Sequence, residues 1–261
     1  HERLVGSGDV YKRQDVRSKN LSTDFSNFPN IKQSEIKAGF WTVDYNRPAD
    51  TESFGKWQGA DTEEPWVYGV TGNGCVGAGL YQETQGSRLM YTPVEGTYGD
   101  MSLKLVVDPA KTTGQGFGSA EQYMDVLLKF DTSTLTGYGL RIIRTKASSN
   151  AVTFVLVKYD NGAVTEISDE VIASCFVTGC TISLKTEGNK LTAHVETPTE
   201  QLADQAAKGY PHVVDLTATA DIAANSFGGV AIQHTGTTGT GGWQNTTMLH
   251  NLDITWEGEN N

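Results

Sequence analysis

Val152-Thr153-Phe154-Val155-Leu156-Val157-Lys158-Tyr159, then Asp160-Asn161-Gly162, then Val164-Thr165-Glu166-Ile167, is the stretch that decides the fold. The first run is β-branched, aromatic and apolar, the composition of a pleated strand. Asn161-Gly162 tolerates the positive φ angles of a tight turn that matches strand twist, so the two runs read as a hairpin. Upstream, Ser102-Leu103-Lys104-Leu105-Val106-Val107 alternates as far as Asp108-Pro109. Tyr123-Met124-Asp125-Val126-Leu127-Leu128-Lys129-Phe130 and Gly139-Leu140-Arg141-Ile142-Ile143-Arg144 read as two further strands. Downstream, residues 180–185 and 190–195 flank Glu187-Gly188-Asn189, a second hairpin. Residues 213–216, 227–234 and 248–256 continue the pattern, and only 199–208 look helical. Strands at short intervals without crossover helices predict an all-β fold, an antiparallel β-sandwich. No fixed-period repeat points to a propeller or β-helix.

The 261 residues carry 20 Lys and Arg against 31 Asp and Glu, a formal net charge of −11. That balance argues against a nucleic-acid or anionic-membrane surface, which needs clustered cations. No apolar run reaches the ~18 residues of a transmembrane helix. A chain of this length buries a core without disulfides or metals. Residues 1–20 are basic and polar, lack a secretory apolar core, and include Asp9-Val10-Tyr11-Lys12-Arg13-Gln14, which resembles a read-through junction. The expected organisation is a tail or junction over 1–20 and a single β-sandwich domain over 21–261.

Cys175 and Cys180 bracket a four-residue loop between strand-like runs, and Cys75 stands apart. Two readings of the pair stand: a disulfide across a hairpin, or two ordinary thiols. No second Cys/His pair completes a zinc pattern.

The order of hairpins over residues 101–256 resembles the concanavalin-A-like jelly roll of lectins, laminin-G-like domains and glucanases. The ending Phe227-Gly228-Gly229-Val230-Ala231-Ile232-Gln233-His234, a loop, then Met248-Leu249-His250-Asn251-Leu252-Asp253-Ile254 is similar to the close of 3-keto-glycoside-hydrolase-like domains. Residues 114–125 and 135–144 resemble accessory domains on polysaccharide-degrading proteins of gut Bacteroidetes. The resemblance spans about residues 40–257. It implies a jelly roll handling carbohydrate, and says little of chemistry, because this architecture hosts many functions.

The glucanases of that superfamily carry Glu-x-Asp-x-x-Glu on one strand, and this chain has no such spacing. The nearest acidic group, Glu166-Ile167-Ser168-Asp169-Glu170, reads as a solvated turn. Glycoside hydrolysis needs two acids across one cleft; nothing in the sequence selects a pair such as Asp125 with Glu83. No nucleophile elbow, phosphate loop or HExxH motif occurs. Of the five histidines, His234 and His250 fall near the last strands, where His234 is a candidate to read a sugar hydroxyl.

Aromatic rings outside regular strands are the more informative feature. Trp243 sits in a Gly- and Thr-rich loop with no other apolar residue, and Trp57-Gln58 and Trp243-Gln244-Asn245 pair an indole with amides. Sugar C–H faces pack on aromatic faces, and sugar hydroxyls need amides, Arg and carboxylates. The candidate ligand-binding set is Trp57, Trp66, Tyr68, Arg141, Gln233, His234, Trp243 and Gln244. Trp41 and Trp256 alternate with polar residues and read as core. A structural calcium, common in sugar-binding jelly rolls, would take Asp253 or Asp100. The expected protein is a non-catalytic carbohydrate-binding module, secreted or on a bacterial cell surface. It would bind plant polysaccharide, with xylan or another β-linked hemicellulose foremost, and target a linked catalytic domain. The alternatives are a glycoside hydrolase or polysaccharide lyase of the same fold, or a spacer that binds no glycan.

Overall fold

The computed structural model describes residues 20–32, 35–44, 64–70, 77–82, 86–94, 96–110, 116–145, 151–236 and 246–257. Two antiparallel sheets pack face to face. The first runs β14 (Val214–Thr219), β13 (Lys190–Glu196), β12 (Cys180–Glu187), β6 (Met101–Pro109), β16 (Thr247–Trp256), β4 (Ala78–Gln82), β3 (Trp66–Val70), with β1 (Asn20–Asp24) on the other half of β16. The second runs β10 (Ala163–Glu166), β9 (Val152–Asp160), β8 (Thr136–Arg144), β7 (Tyr123–Asp131), β15 (Val230–His234), β5 (Arg88–Thr92), β2 (Phe40–Asp44), with β11 (Val171–Ala173) also on β9. One short helix, α1 (Thr199–Gln205), and a 3₁₀ turn at Phe25–Asn27 are the helical elements among the described residues. The antiparallel β-sandwich expected from the strand pattern, with the jelly roll that the resemblance implied, is the fold observed.

Local chemistry explains the best-read elements. Asn161 and Gly162 hold φ of 49° and 81°, the positive angles a tight hairpin turn requires, between β9 and β10. The strands β12, β13 and β14 alternate buried and exposed, so one face joins the core and the other meets water. By contrast β7 is buried at eight consecutive positions. Its Val126 and Leu128 enter the main core with Leu105, Leu184 and Ile254 from the first sheet. Its Leu127 joins Met90, Val155, Val157 and Ala231 in a second apolar layer on the sheet's other face. Burial on both faces replaces alternation by a continuous apolar run.

Several expectations need correction. Regular strands already begin at Asn20, where β1 pairs with β16 over five residues that the sequence did not mark as a strand. The strand expected over 227–234 starts only at Val230. A Cβ on Gly228 would stand 2.5 Å from the Tyr98 ring and one on Gly229 2.1 Å from Phe130 O, so the glycines serve close packing instead of extending the ladder. Cys175 and Cys180 are separate buried thiols, and burial pushes the Cys175 thiol up to about 12. Cys75 lies outside the described residues.

Candidate functional site

The candidate residues scatter. Trp57, Trp243 and Gln244 lie outside the described residues. Trp66 is 1% exposed and belongs to the core, cross-strand from Gln82; it has no face left for a sugar, contrary to expectation. Trp41 and Trp256 are buried too, their indole N–H groups donating to Thr23 Oγ1 and Gly228 O. Tyr68, on edge strand β3, is 39% exposed and keeps a ring open to solvent.

His234 also departs from expectation. It points inward, stacked on Phe117 at 4.9 Å, with its Nδ1 accepting from Gly236 N at 2.9 Å. Burial drives its pKa down to about 3, so the imidazole is neutral and sealed from any glycan. Asp253 accepts from Ser22 Oγ at 2.6 Å and Asp100 from Gly188 N at 2.8 Å. Calcium takes six to eight oxygens, and no group of three His, Cys, Asp or Glu able to hold a metal occurs among the described residues. Both aspartates stand apart from any such cluster, each bonded within the sandwich.

Arg141 and Gln233 do come together, on a face that sequence reasoning did not assemble. Arg88, Gln233, Asp125 and Arg141 stand in register on four neighbouring strands, β5, β15, β7 and β8. Arg141 Nε and Nη2 donate to Asp125 Oδ1 and Oδ2 at 2.8 and 2.9 Å, and the guanidinium lies 3.7 Å from the Tyr123 ring centroid. Tyr159 OH donates to Asp125 Oδ2 in a short hydrogen bond. Burial works against the Arg141 cation, yet Asp125 outweighs it and holds the guanidinium pKa above its ordinary value. Burial and the Asp125 charge together push Tyr159 well upward. Gln233 Nε2 donates to Gly86 O at 2.6 Å, while its Oε1 has no partner. Asp125, Gln233 and Arg88 are at most 2% exposed. A bidentate arginine and a phenol thus occupy both oxygens of the Asp125 carboxyl group.

The open site is at one end of the sandwich. There the inward sides of β8 and β9 run past the core and meet the segment 220–229. The cleft between them has a volume of about 540 Å³, within the range of small-ligand sites. Asp131, Asp160 and Asp221 line it with the amides Asn161 and Asn225, the hydroxyls Thr134, Thr136 and Ser226, and the rings Tyr138 and Phe227. Lys158 Nζ lies 3.7 Å from Asp160 Oδ2. Three carboxylates against one ammonium leave the cleft acidic. Burial raises Asp131, but bonds from the Ser133 and Thr134 hydroxyls and amides prevail and hold it below the usual carboxylate range. Tyr138 OH donates to Asp221 O at 3.0 Å, fixing the wall to β8. Burial, with Asp221 and Asp160 nearby, keeps that phenol protonated beyond its ordinary range. The cleft thus offers carboxyl and hydroxyl oxygens, amides and the half-buried Phe227 ring, with Tyr138 buried behind its wall. Asp160-Asn161, read from sequence only as a turn, is one of its lips.

No family model and no curated protein matches the sequence. Among solved structures, the chain is similar to the CBM2 module of the evolved Dit of Lactobacillus casei BL23 phage J-1. That match has 12% identity and a TM-score of 0.54, and covers 93% of this chain and 100% of that one. Carbohydrate-binding module CBM66 from Bacillus subtilis matches at 14% identity and TM-score 0.39, covering 73% of this chain and 95% of the other. Apo Crh5 transglycosylase matches at 11% identity and TM-score 0.45, covering 95% and 88%. At these identities the likeness is one of fold alone, an antiparallel β-sandwich. Among the described residues no helix is long and apolar enough to cross a membrane.

Proposed function

We propose that this chain is a non-catalytic carbohydrate-binding module, secreted or held at a bacterial cell surface, that brings a linked catalytic domain to plant polysaccharide. The observation that carries the reading is the end cleft, where carboxylates, amides and hydroxyls line an open wall beside the half-buried ring of Phe227. Such a wall recognises sugar hydroxyls as donors and acceptors while a ring packs on C–H faces. Its negative charge disfavours uronate polymers and suits neutral chains, with xylan or another β-linked hemicellulose foremost. Water-bridged contacts in so open a cleft keep affinity moderate, and tethering turns moderate affinity into high local concentration. Trp57, Trp243 and Gln244 remain proposed contacts, with Tyr68 a further exposed ring. A hydrolase of this fold would need two acids facing each other across a cleft; Asp125 is tied to Arg141 and Tyr159, which leaves Asp131, Asp160 and Asp221 as the acids that the reducing-end assay below tests.

Affinity electrophoresis through xylan, glucan, mannan and pectin gels tests this. Retardation in xylan, weaker in Asp221→Ala and in Trp243→Ala and absent in pectin, is the expected result. Release of reducing ends by the purified protein, abolished by one Asp or Glu substitution, would replace the reading with an enzyme. No retardation in any gel would leave a spacer.

A further inference from the structure

Lys129 is 2% exposed and holds a φ of 51°, a left-handed backbone unusual for a long side chain. It lies where the register of β7 and β8 slips between Leu128 and Asp131. A bulge re-aims a side chain, and here it sends the ammonium beneath the cleft wall. Lys129 Nζ donates to Asn225 O at 2.6 Å and to Tyr98 O at 3.2 Å. Asn225 Nδ2 donates back to Lys129 O at 2.8 Å, and Asn225 Oδ1 accepts from Phe227 N at 2.9 Å. Neither acceptor of the ammonium is a carboxylate. A buried cation and a left-handed lysine each cost stability, and glycine at this position would avoid both. Strain of this kind persists where the surroundings make use of it.

The Asn225–Ser226 peptide shows the use. A trans peptide points its N–H opposite to its C=O. With Asn225 O bonded to Lys129, the Ser226 N–H points away from the ammonium, and both residues line the cleft. The ammonium polarises that peptide and strengthens its N–H as a donor. Asp131, Asp160 and Asp221 are acceptors only, so a backbone donor complements them.

We propose that Lys129 is a positioning residue of the cleft: it holds the Asn225–Ser226 peptide so that the Ser226 N–H meets a saccharide oxygen. The proposal rests on the carbohydrate-binding reading and assigns the donor within it. The test is amide NMR of the full chain, as parent, Lys129→Met and Lys129→Gly, titrated with xylohexaose. In the parent the Ser226 amide proton moves on titration. In Lys129→Met that resonance starts upfield, affinity falls at least tenfold, and the spectrum stays dispersed elsewhere. Lys129→Gly, which relieves the backbone, carries the comparison where Lys129→Met loses dispersion. Sugar binding that leaves the Ser226 amide unmoved, or equal affinity in a folded Lys129 variant, overturns the proposal alone. A parent spectrum unmoved by this sugar and by glucan and mannan oligomers overturns the carbohydrate reading and the proposal with it.

Discussion

Asp125 and Arg141 face each other across β7 and β8 with both carboxylate oxygens bonded to one guanidinium, at 2.8 and 2.9 Å. The pair is nearly dry, with side-chain exposures of 12% for Arg141 and 0% for Asp125. Removing one partner of such a pair strands a buried charge at a cost of about 3–5 kcal/mol, whereas replacing both with apolar groups is often neutral. Arg141→Met should therefore lower the urea midpoint steeply, and Asp125→Leu/Arg141→Met should recover most of the loss. Equal midpoints for Arg141→Met and parent would show the pair to be idle.

His234 sets an acid limit. Its folded pKa, about 3, lies below the unfolded value near 6.5. The unfolded chain binds the extra proton, so this contribution to stability is complete above about pH 6.5 and is lost as pH falls toward 3. The loss runs at about 1.4 kcal/mol per pH unit. His234→Gln keeps a group that can accept from Gly236 N. Its stability should decline less between pH 6.5 and 4 than the parent's in paired denaturant melts, and parallel declines would contradict the assignment.

His250 behaves in the opposite sense. Burial lowers its pKa, but Asp108, with the Ala78 carbonyl and Asp24, raises it above the ordinary histidine value. The folded state holds the proton more tightly, so the stabilisation is present below the unfolded pKa and fades as pH rises through the folded one. His250→Gln should flatten the pH dependence of the melting temperature above the unfolded pKa near 6.5. An unchanged slope there would remove the Asp108 contact from the account.

Gly139 stands where β7 and β8 approach most closely. A Cβ there would lie 1.9 Å from Val126 O and 2.8 Å from Leu127 Cα. Backbone cannot yield to that extent without parting the sheet, so Gly139→Ala should abolish soluble expression. Gly162→Ala meets only ordinary contacts but forces a φ of 81° on alanine, and should cost about 1 kcal/mol or somewhat more.

Most strands from β6 to β16 were legible because their apolar periods and turn residues are local signals; β11, only three residues long, was not. The opening strands were not: β1 to β5 span five residues each, and their pairing depends on partners far away in the chain. Trp66 looked like a surface ring because nothing nearby in sequence announces Gln82 or the Ile31 bridge that encloses it. Strict alternation along β7 would put Lys129 on the face of Asp125 and Leu127, and only the bulge reveals where its ammonium goes. The cleft was illegible for the same reason. It joins the Asp160-Asn161 turn to residues some sixty positions later, a neighbourhood made by tertiary folding alone.

Calorimetric titration of xylohexaose into the parent and into Asp160→Ala/Asp221→Ala tests the central claim most directly, since both side chains are exposed on the cleft rim. Saturable binding by the parent, weakened at least tenfold in a double variant with an unchanged melting temperature, is the predicted result. Undiminished binding by the double variant would place the glycan elsewhere on the sandwich and contradict the account.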